Sequence, residues 1–259
     1  MNKWDRAPLT PIAHRGSPDD FAPPAWSRVP EVMWHLPRML SGLGPLGPRG
    51  PEDGPPALVI PGFLATDRTT MELRRALARA GWRSHPWMLG INTGAKANTM
   101  DLLQQRLDAI FSEAKQPVLL VGWSLGGMFA RQLACREPGK VRAAVTLGSP
   151  FSGNLKTNNN VRGFYEWVAG HDVNVPPFER ITGKPPVPTL ALWSRKDGIV
   201  APAAARGLAH EVDKAVELDA GHMEFVVRRP VLSRIVSEIR TFLTEVEGRA
   251  PKMGTRAAV

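Results

Sequence analysis

Pro117-Val-Leu-Leu-Val-Gly122-Trp-Ser124-Leu-Gly126-Gly127-Met-Phe-Ala130 is the stretch whose reading decides the fold. Residues 118–121 are a short apolar run, which suits a strand buried on both faces. Residues 125–136 are small and apolar with a polar minority, which suits a buried helix. Between them one serine has a glycine two residues away on each side. This is the Gly-x-Ser-x-Gly pattern in a strand, sharp turn and helix context, and it points to a nucleophilic serine. The turn lifts the hydroxyl above the sheet, and side chains two positions away would collide across it. The helix that follows aims its positive end at the place where an oxyanion would develop. A nucleotide-binding turn is the rival reading, but it asks for Gly-x-Gly-x-x-Gly and an acid about 20 residues later. Here Ser124 stands where the middle glycine would be.

Outward from this segment the pattern is regular. Short apolar runs at 57–60, 86–89, 118–121, 143–147, 189–193 and 215–218 alternate with amphipathic segments near 69–80, 99–114, 125–136, 201–210 and 228–246. Such alternation predicts an α/β fold, a three-layer α/β/α sandwich around a mostly parallel sheet of about six strands. The alternation fails between Gly148 and Pro188. We read about 150–187 as a short cap-like insertion, placed where open α/β sheets bind their ligands. Residues 56–247 then form the core.

Residues 1–55 differ, with many of the chain's 25 prolines. Within this Pro/Gly-rich N-terminal arm, Trp26, Val29, Met33, Leu36, Leu40 and Leu43 recur at helical spacing, interrupted by Pro37. Packing of that face on the main domain is the simplest expectation. A lid over a site or a peripheral membrane contact are the alternatives. Residues 248–259 read as a disordered tail.

A serine near neutral pH needs a base. His222 follows the last apolar strand in Glu217-Leu-Asp-Ala-Gly-His222-Met, which places it at the same sheet edge as Ser124. A carboxylate should lie between the two in chain order. Asp197, in Trp193-Ser-Arg-Lys-Asp197-Gly-Ile-Val, fits a strand running into a turn. Asp219 is the runner-up, too near His222 in sequence for an easy approach to its far ring nitrogen, and Asp172 is third. The oxyanion donors expected are the N–H groups of Leu125, just after the serine, and of Phe63 in Ile60-Pro-Gly-Phe-Leu, with Leu64 as its neighbouring candidate. Leu64, Trp123, Phe151, Phe164 and Trp167 are candidates for a substrate pocket. The segment Leu89-Gly-Ile-Asn92-Thr93-Gly94 ends a strand at the same edge; it reads as structural, with support of the serine turn or lining of the pocket as the alternatives. Cys135 reads as buried and inert.

Composition removes several classes. The net charge of +9 is dilute: residues 1–55 hold six basic and six acidic groups, 56–227 hold 20 and 15, and 228–259 hold seven and three. No basic run accompanies it, which argues against a nucleic-acid partner. One cysteine allows no internal disulfide. No His, Glu or Cys spacing resembles a metal site, no phosphate loop is present, and no cofactor is expected. No apolar signal core follows the first residues, so a cytoplasmic location is expected. The oligomeric state is not written in the sequence.

Ile60-Pro-Gly-Phe, Gly122-Trp-Ser-Leu-Gly-Gly, Leu147-Gly-Ser-Pro, Ser194-Arg-Lys-Asp-Gly-Ile-Val and Gly221-His222 together resemble the α/β-hydrolase fold family, over about residues 56–245. Within that family the likeness is to bacterial esterases and lipases. The resemblance implies that Ser124, Asp197 and His222 form a triad, with Phe63 and Leu125 as the oxyanion hole. It implies hydrolysis of a small-molecule or lipid-like carboxylic ester. An acyltransferase or thioesterase would use the same residues, a peptidase is a further option, and a non-catalytic binding module on the same fold is the contrasting class. The antiparallel strands usual before the core are not evident in the arm, so a reduced sheet is expected.

Overall fold

The computed structural model describes residues 46–153 and 183–249. The expected arm helix at 26–43, most of the cap-like insertion with Phe164, Trp167 and Asp172, and the tail from 250 lie outside these residues.

The described chain runs β1 (Pro56–Ile60), α1 (Met71–Arg79), β2 (Arg83–Pro86), α2 (Thr99–Ala114), β3 (Val118–Trp123), α3 (Leu125–Arg136), β4 (Val141–Leu147), β5 (Thr189–Trp193), α4 (Pro202–Arg206), β6 (Lys214–Glu217), α5 (Glu224–Val227) and α6 (Arg229–Arg249). The six strands form one sheet in the order β2-β1-β3-β4-β5-β6. All five pairings are parallel. The fold class expected from the alternation of apolar runs is the one observed.

Successive strand residues face opposite layers, so a continuous apolar run is what a doubly covered strand requires. Ala57, Val59, Leu119 and Val121 face a cluster with Leu73 and Leu77 of α1 and with Leu232, Ile235, Ile239 and Phe242 of α6. Leu58, Ile60, Val118 and Leu120 face the other layer, with Met100, Leu103, Leu107 and Ile110 of α2 and Phe129, Leu133 and Ala134 of α3. The buried positions on α2 and α6 recur every three or four residues, one stripe per helix.

Strand order locates the site. The chain leaves β1 towards β2 on one side, then returns through α2 to β3 on the other side of β1. The loops after β1 and β3 therefore diverge from neighbouring strands. In open α/β sheets that crevice, beyond the carboxyl ends of the strands, is where ligands sit.

Two boundaries differ from expectation. The second strand is Arg83–Pro86, paired with Pro56–Val59, and the apolar run at 86–89 is mostly its exit turn. The reason is Asp67, whose carboxylate accepts the N–H groups of Trp87 and Met88 at 2.9 and 3.1 Å and draws the chain out of the sheet. Met88 sits at φ 64° as a result of that turn. The segment expected at 201–210 shortens to Pro202–Arg206, stopped by Gly207 at φ 73°. The short helix α5 was not visible as a separate unit because its apolar run merges with that of α6. Among the described residues no helix is long and apolar enough to cross a membrane.

Candidate active site

Ser124 occupies the turn between β3 and α3 with φ 54° and ψ −123°, a strained conformation for a residue with a side chain. Its amide donates to the Leu147 carbonyl of β4 at 2.9 Å, tying the turn to the next strand. The flanking glycines are required by contact. A Cβ on Gly122 would lie 2.2 Å from the Gly126 carbonyl oxygen, and one on Gly126 would lie 2.2 Å from the Ile60 oxygen. The turn is thus pressed between its own two arms and the end of β1. Leu125 opens α3, where N–H groups of the first turn have no partner within the helix.

Asp197 and His222 come from separate loops, after β5 and β6. Asp197 Oδ2 lies 2.7 Å from His222 Nδ1, and both side chains are almost fully buried. Asp197 Oδ1 accepts the N–H groups of Ile199 and Val200, each at 2.8 Å. The carboxylate is therefore held at one oxygen by backbone and presents the other to the imidazole. Burial without water competition strengthens such a charge-assisted contact.

The pair sits beside the serine turn. The ring of Trp123 lies 5.4 Å from the His222 ring, and its Nε1–H donates to the His222 carbonyl at 3.1 Å. Gly148, immediately after Leu147, packs so closely that a Cβ there would approach Asp197 Oδ2 to 2.8 Å and His222 Nδ1 to 3.3 Å. Residues 123, 148, 197 and 222 thus converge around the carboxyl ends of β3 to β6.

Asp219, the runner-up carboxylate, is exposed and pairs with Lys196 at 2.6 Å instead. Trp123 is buried in the core layer under the site. Phe151 is likewise buried, packed with Ala191 and Val212 beneath the Arg131 guanidinium. Leu64 is exposed at φ 56°, and its N–H donates to the Asn92 carbonyl at 2.7 Å, so that amide is committed. Phe63 is half-buried in the same loop, packed against the α2–α3 layer.

Two further residues at this edge brace its loops, Ser194 with no role assigned from sequence and Asn92 within the 89–94 segment read there as structural. Buried Ser194 joins the two loops that carry the pair: its Oγ accepts the N–H of Lys196 at 3.0 Å and of Ala220 at 3.3 Å. Its place in the Ser194-to-Val200 block was the only signal. Asn92 braces the loop after β1, through Nδ2–H to the Pro61 carbonyl at 2.8 Å. Cys135 is half-buried and its thiol is pushed up by burial, so it is a poor nucleophile. Among the described residues no cluster of three or more His, Cys, Asp or Glu side chains could hold a metal ion.

Comparison with known proteins agrees with this architecture. A family model described as alpha/beta hydrolase fold matches residues 113–179, the segment that carries the serine turn. Carboxylesterase CesB from Bacillus subtilis superposes with a TM-score of 0.54 at 15% identity, over 76% of this chain and 86% of its own. Naproxen esterase from Bacillus subtilis gives 0.53 at 18% identity, over 74% and 86%. The thioesterase domain from the curacin biosynthetic pathway gives 0.51 at 16% identity, over 75% and 93%. No curated protein sequence matches the chain at a significant level. The parallel sheet, the serine turn after its third strand and these matches agree on one conclusion: the chain has the α/β-hydrolase fold.

Proposed function

We propose that the protein is a serine hydrolase of carboxylic esters. The observation that supports this most is the buried 2.7 Å contact between Asp197 and His222, set beside a serine at φ 54°. Nothing in the packing of the core calls for a strained serine or for a buried ionisable pair at the ligand edge of the sheet. Catalysis gives both a reason.

In this reading Ser124 Oγ attacks the acyl carbonyl while His222 Nε2 takes its proton. Asp197 Oδ2 accepts the Nδ1–H, which fixes the tautomer that leaves Nε2 as a base and stabilises the imidazolium once formed. The N–H groups of Leu125 and Phe63 hold the tetrahedral oxyanion. Its collapse breaks the bond to the alkoxy oxygen, which leaves with the proton carried by His222. Water, deprotonated by the same nitrogen, then attacks the acyl-serine, and the acid departs as Ser124 recovers its proton.

The likeness to a thioesterase domain supports a second reading, in which the leaving group is a thiol and the same residues act. Turnover of p-nitrophenyl esters of graded acyl length, beside acyl thioesters of the same lengths, tests both. The expectation is ester turnover that falls at least about 10³-fold in Ser124→Ala, the scale of triad loss. Preference for the thioester selects the second reading. Equal rates for wild type and variant reject both, and rates no higher than the uncatalysed ones on every substrate leave a non-catalytic binding module.

A further inference from the structure

The loop after β1 runs from Pro61 to Ala65 and lies against the serine turn. A Cβ on Gly62 would sit 3.1 Å from Ser124 Cβ and 3.0 Å from Trp123 Cε3, so the chain there has no slack towards the nucleophile. Among the described residues, one residue bonds to the opposite side of this loop at three points. Asn92, 1% exposed, reaches it from the segment between β2 and α2. Its Nδ2–H donates to the Pro61 carbonyl at 2.8 Å. Its own carbonyl accepts the Leu64 N–H at 2.7 Å, and its own N–H donates to the Ala65 carbonyl at 2.9 Å. Its Oδ1 accepts the Gly94 N–H at 3.2 Å.

Those four bonds divide into two tasks. The backbone pair fastens the far end of the loop, at 64–65, and any residue could make it. The side chain fastens the near end, at Pro61, and needs one atom that donates and another that accepts. Asn supplies both in a side chain of this length. The Gly94 N–H fixes which end of the amide carries oxygen, so the NH₂ group faces Pro61. The Pro61 carbonyl belongs to the peptide plane that begins Gly62, and Gly62 leads directly to the Phe63 amide. Fixing that plane and the Leu64 N–H together fixes the one peptide group between them, Gly62–Phe63, which carries the Phe63 N–H and whose carbonyl also accepts the Ala65 N–H at 3.1 Å.

We infer that Asn92 is a positioning residue for the oxyanion-stabilising loop: it sets where the Phe63 N–H points relative to Ser124, without itself touching substrate. This rests on the ester-hydrolase reading above. Oxyanion donors act through placement, since they serve only if they meet the oxygen of the tetrahedral state and not the ground-state carbonyl. Loss of the Pro61 bond should therefore lower kcat and leave KM nearly unchanged. Removing an oxyanion donor outright costs about 10²–10³ in kcat, and misplacing one should cost about 10- to 100-fold.

The test uses Asn92→Ala and the isosteric Asn92→Asp, whose carboxylate cannot donate to Pro61. Sites are counted by fluorophosphonate titration, so that kcat is expressed per folded, reactive molecule. Alongside kcat and KM, inhibition by an alkyl trifluoromethyl ketone is measured. That compound adds to the serine as a tetrahedral oxyanion and reports the hole directly. The expected result is a fall in kcat of about 10- to 100-fold, a Ki raised by the same factor, and KM within about threefold of wild type. In Asn92→Asp the ratio of variant to wild-type kcat should rise as pH falls, because the protonated carboxyl regains a donor. An unchanged kcat and Ki per titrated site in either variant, or a rise in KM alone, overturns the inference, including where thermal stability drops. Wild type that turns over no ester would instead reject the hydrolase reading, so the two failures are distinct.

Discussion

Replacing Asp197 by Asn should silence the site while leaving the fold intact, and the structure says why. The two oxygens of Asp197 face different partners. Oδ1 receives two backbone N–H groups, from Ile199 and Val200, at 2.8 Å each. Oδ2 faces His222 Nδ1 at 2.7 Å. An amide in the same place must choose an orientation. With its NH₂ group towards 199 and 200 it would set donors against two buried donors, at a cost of about 1–3 kcal/mol for each group left unpaired. The oxygen therefore takes the Oδ1 position and the NH₂ group faces His222. Nδ1 must then accept, which moves the imidazole proton to Nε2, the nitrogen that receives the Ser124 proton in the proposed mechanism. The wrong tautomer is locked in by a hydrogen bond of ordinary strength. Such a swap is worth about 10⁴ in kcat, or about 5 kcal/mol of transition-state stabilisation. Ester turnover at pH 7.5 measures it, with thermal unfolding as a control. The unfolding midpoint should move by only a few degrees, because both backbone bonds survive. A variant that keeps kcat within tenfold of wild type would refute the assignment of Asp197.

Other consequences are open to simple checks. Gly126→Ala places a Cβ 2.2 Å from the Ile60 oxygen and 2.6 Å from the Pro61 oxygen, both backbone atoms, and should cost about 3 kcal/mol or more in urea unfolding; a loss below about 1 kcal/mol would show that the turn relaxes freely. Gly148→Ala, at φ 52° and pressed on Asp197 and His222, should lower kcat far more than it lowers stability, read from turnover against unfolding midpoint. His85 is buried on β2, and burial, helped by the charges of Arg106 and Arg83, lowers its imidazole to about 4 from an ordinary 6.5. The folded state then resists protonation where the unfolded chain accepts it. The contribution is full above pH 6.5 and is lost as pH falls towards 4, by up to about 3 kcal/mol; His85→Leu should flatten that part of the stability curve. Iodoacetamide should leave turnover unchanged, since the Cys135 thiol is raised by burial and lies in α3 away from the chemistry.

The serine turn was legible because its constraints are local. Glycines two residues either side of Ser124 collide with backbone if given a side chain, so the spacing records the geometry. The sheet was legible for a related reason: a strand covered on both faces has no polar side, and a run such as Val118-Leu-Leu-Val is hard to place elsewhere. The Asp197–His222 contact was legible at one remove, through the order in which strand ends deliver loops to one edge. Trp123 was harder. It adjoins Ser124, but its ring packs against the His222 ring and donates to the His222 carbonyl, and nothing in its sequence position distinguishes that from a place in a substrate pocket. Asn92 and Ser194 were harder again, because both act on backbone groups of loops far away in the chain. Bonds of that kind leave no periodicity and no spacing. The early exit from β2 has the same origin, a carboxylate at Asp67 that captures two amides about twenty residues on.

Ser124 is the proposed nucleophile, and a fluorophosphonate probe with peptide mapping by mass spectrometry tests that most directly. One adduct on Ser124 is expected, absent from Ser124→Ala and formed much more slowly in His222→Ala. No adduct on the folded wild-type protein, or an adduct at another residue with ester turnover surviving in Ser124→Ala, would contradict it.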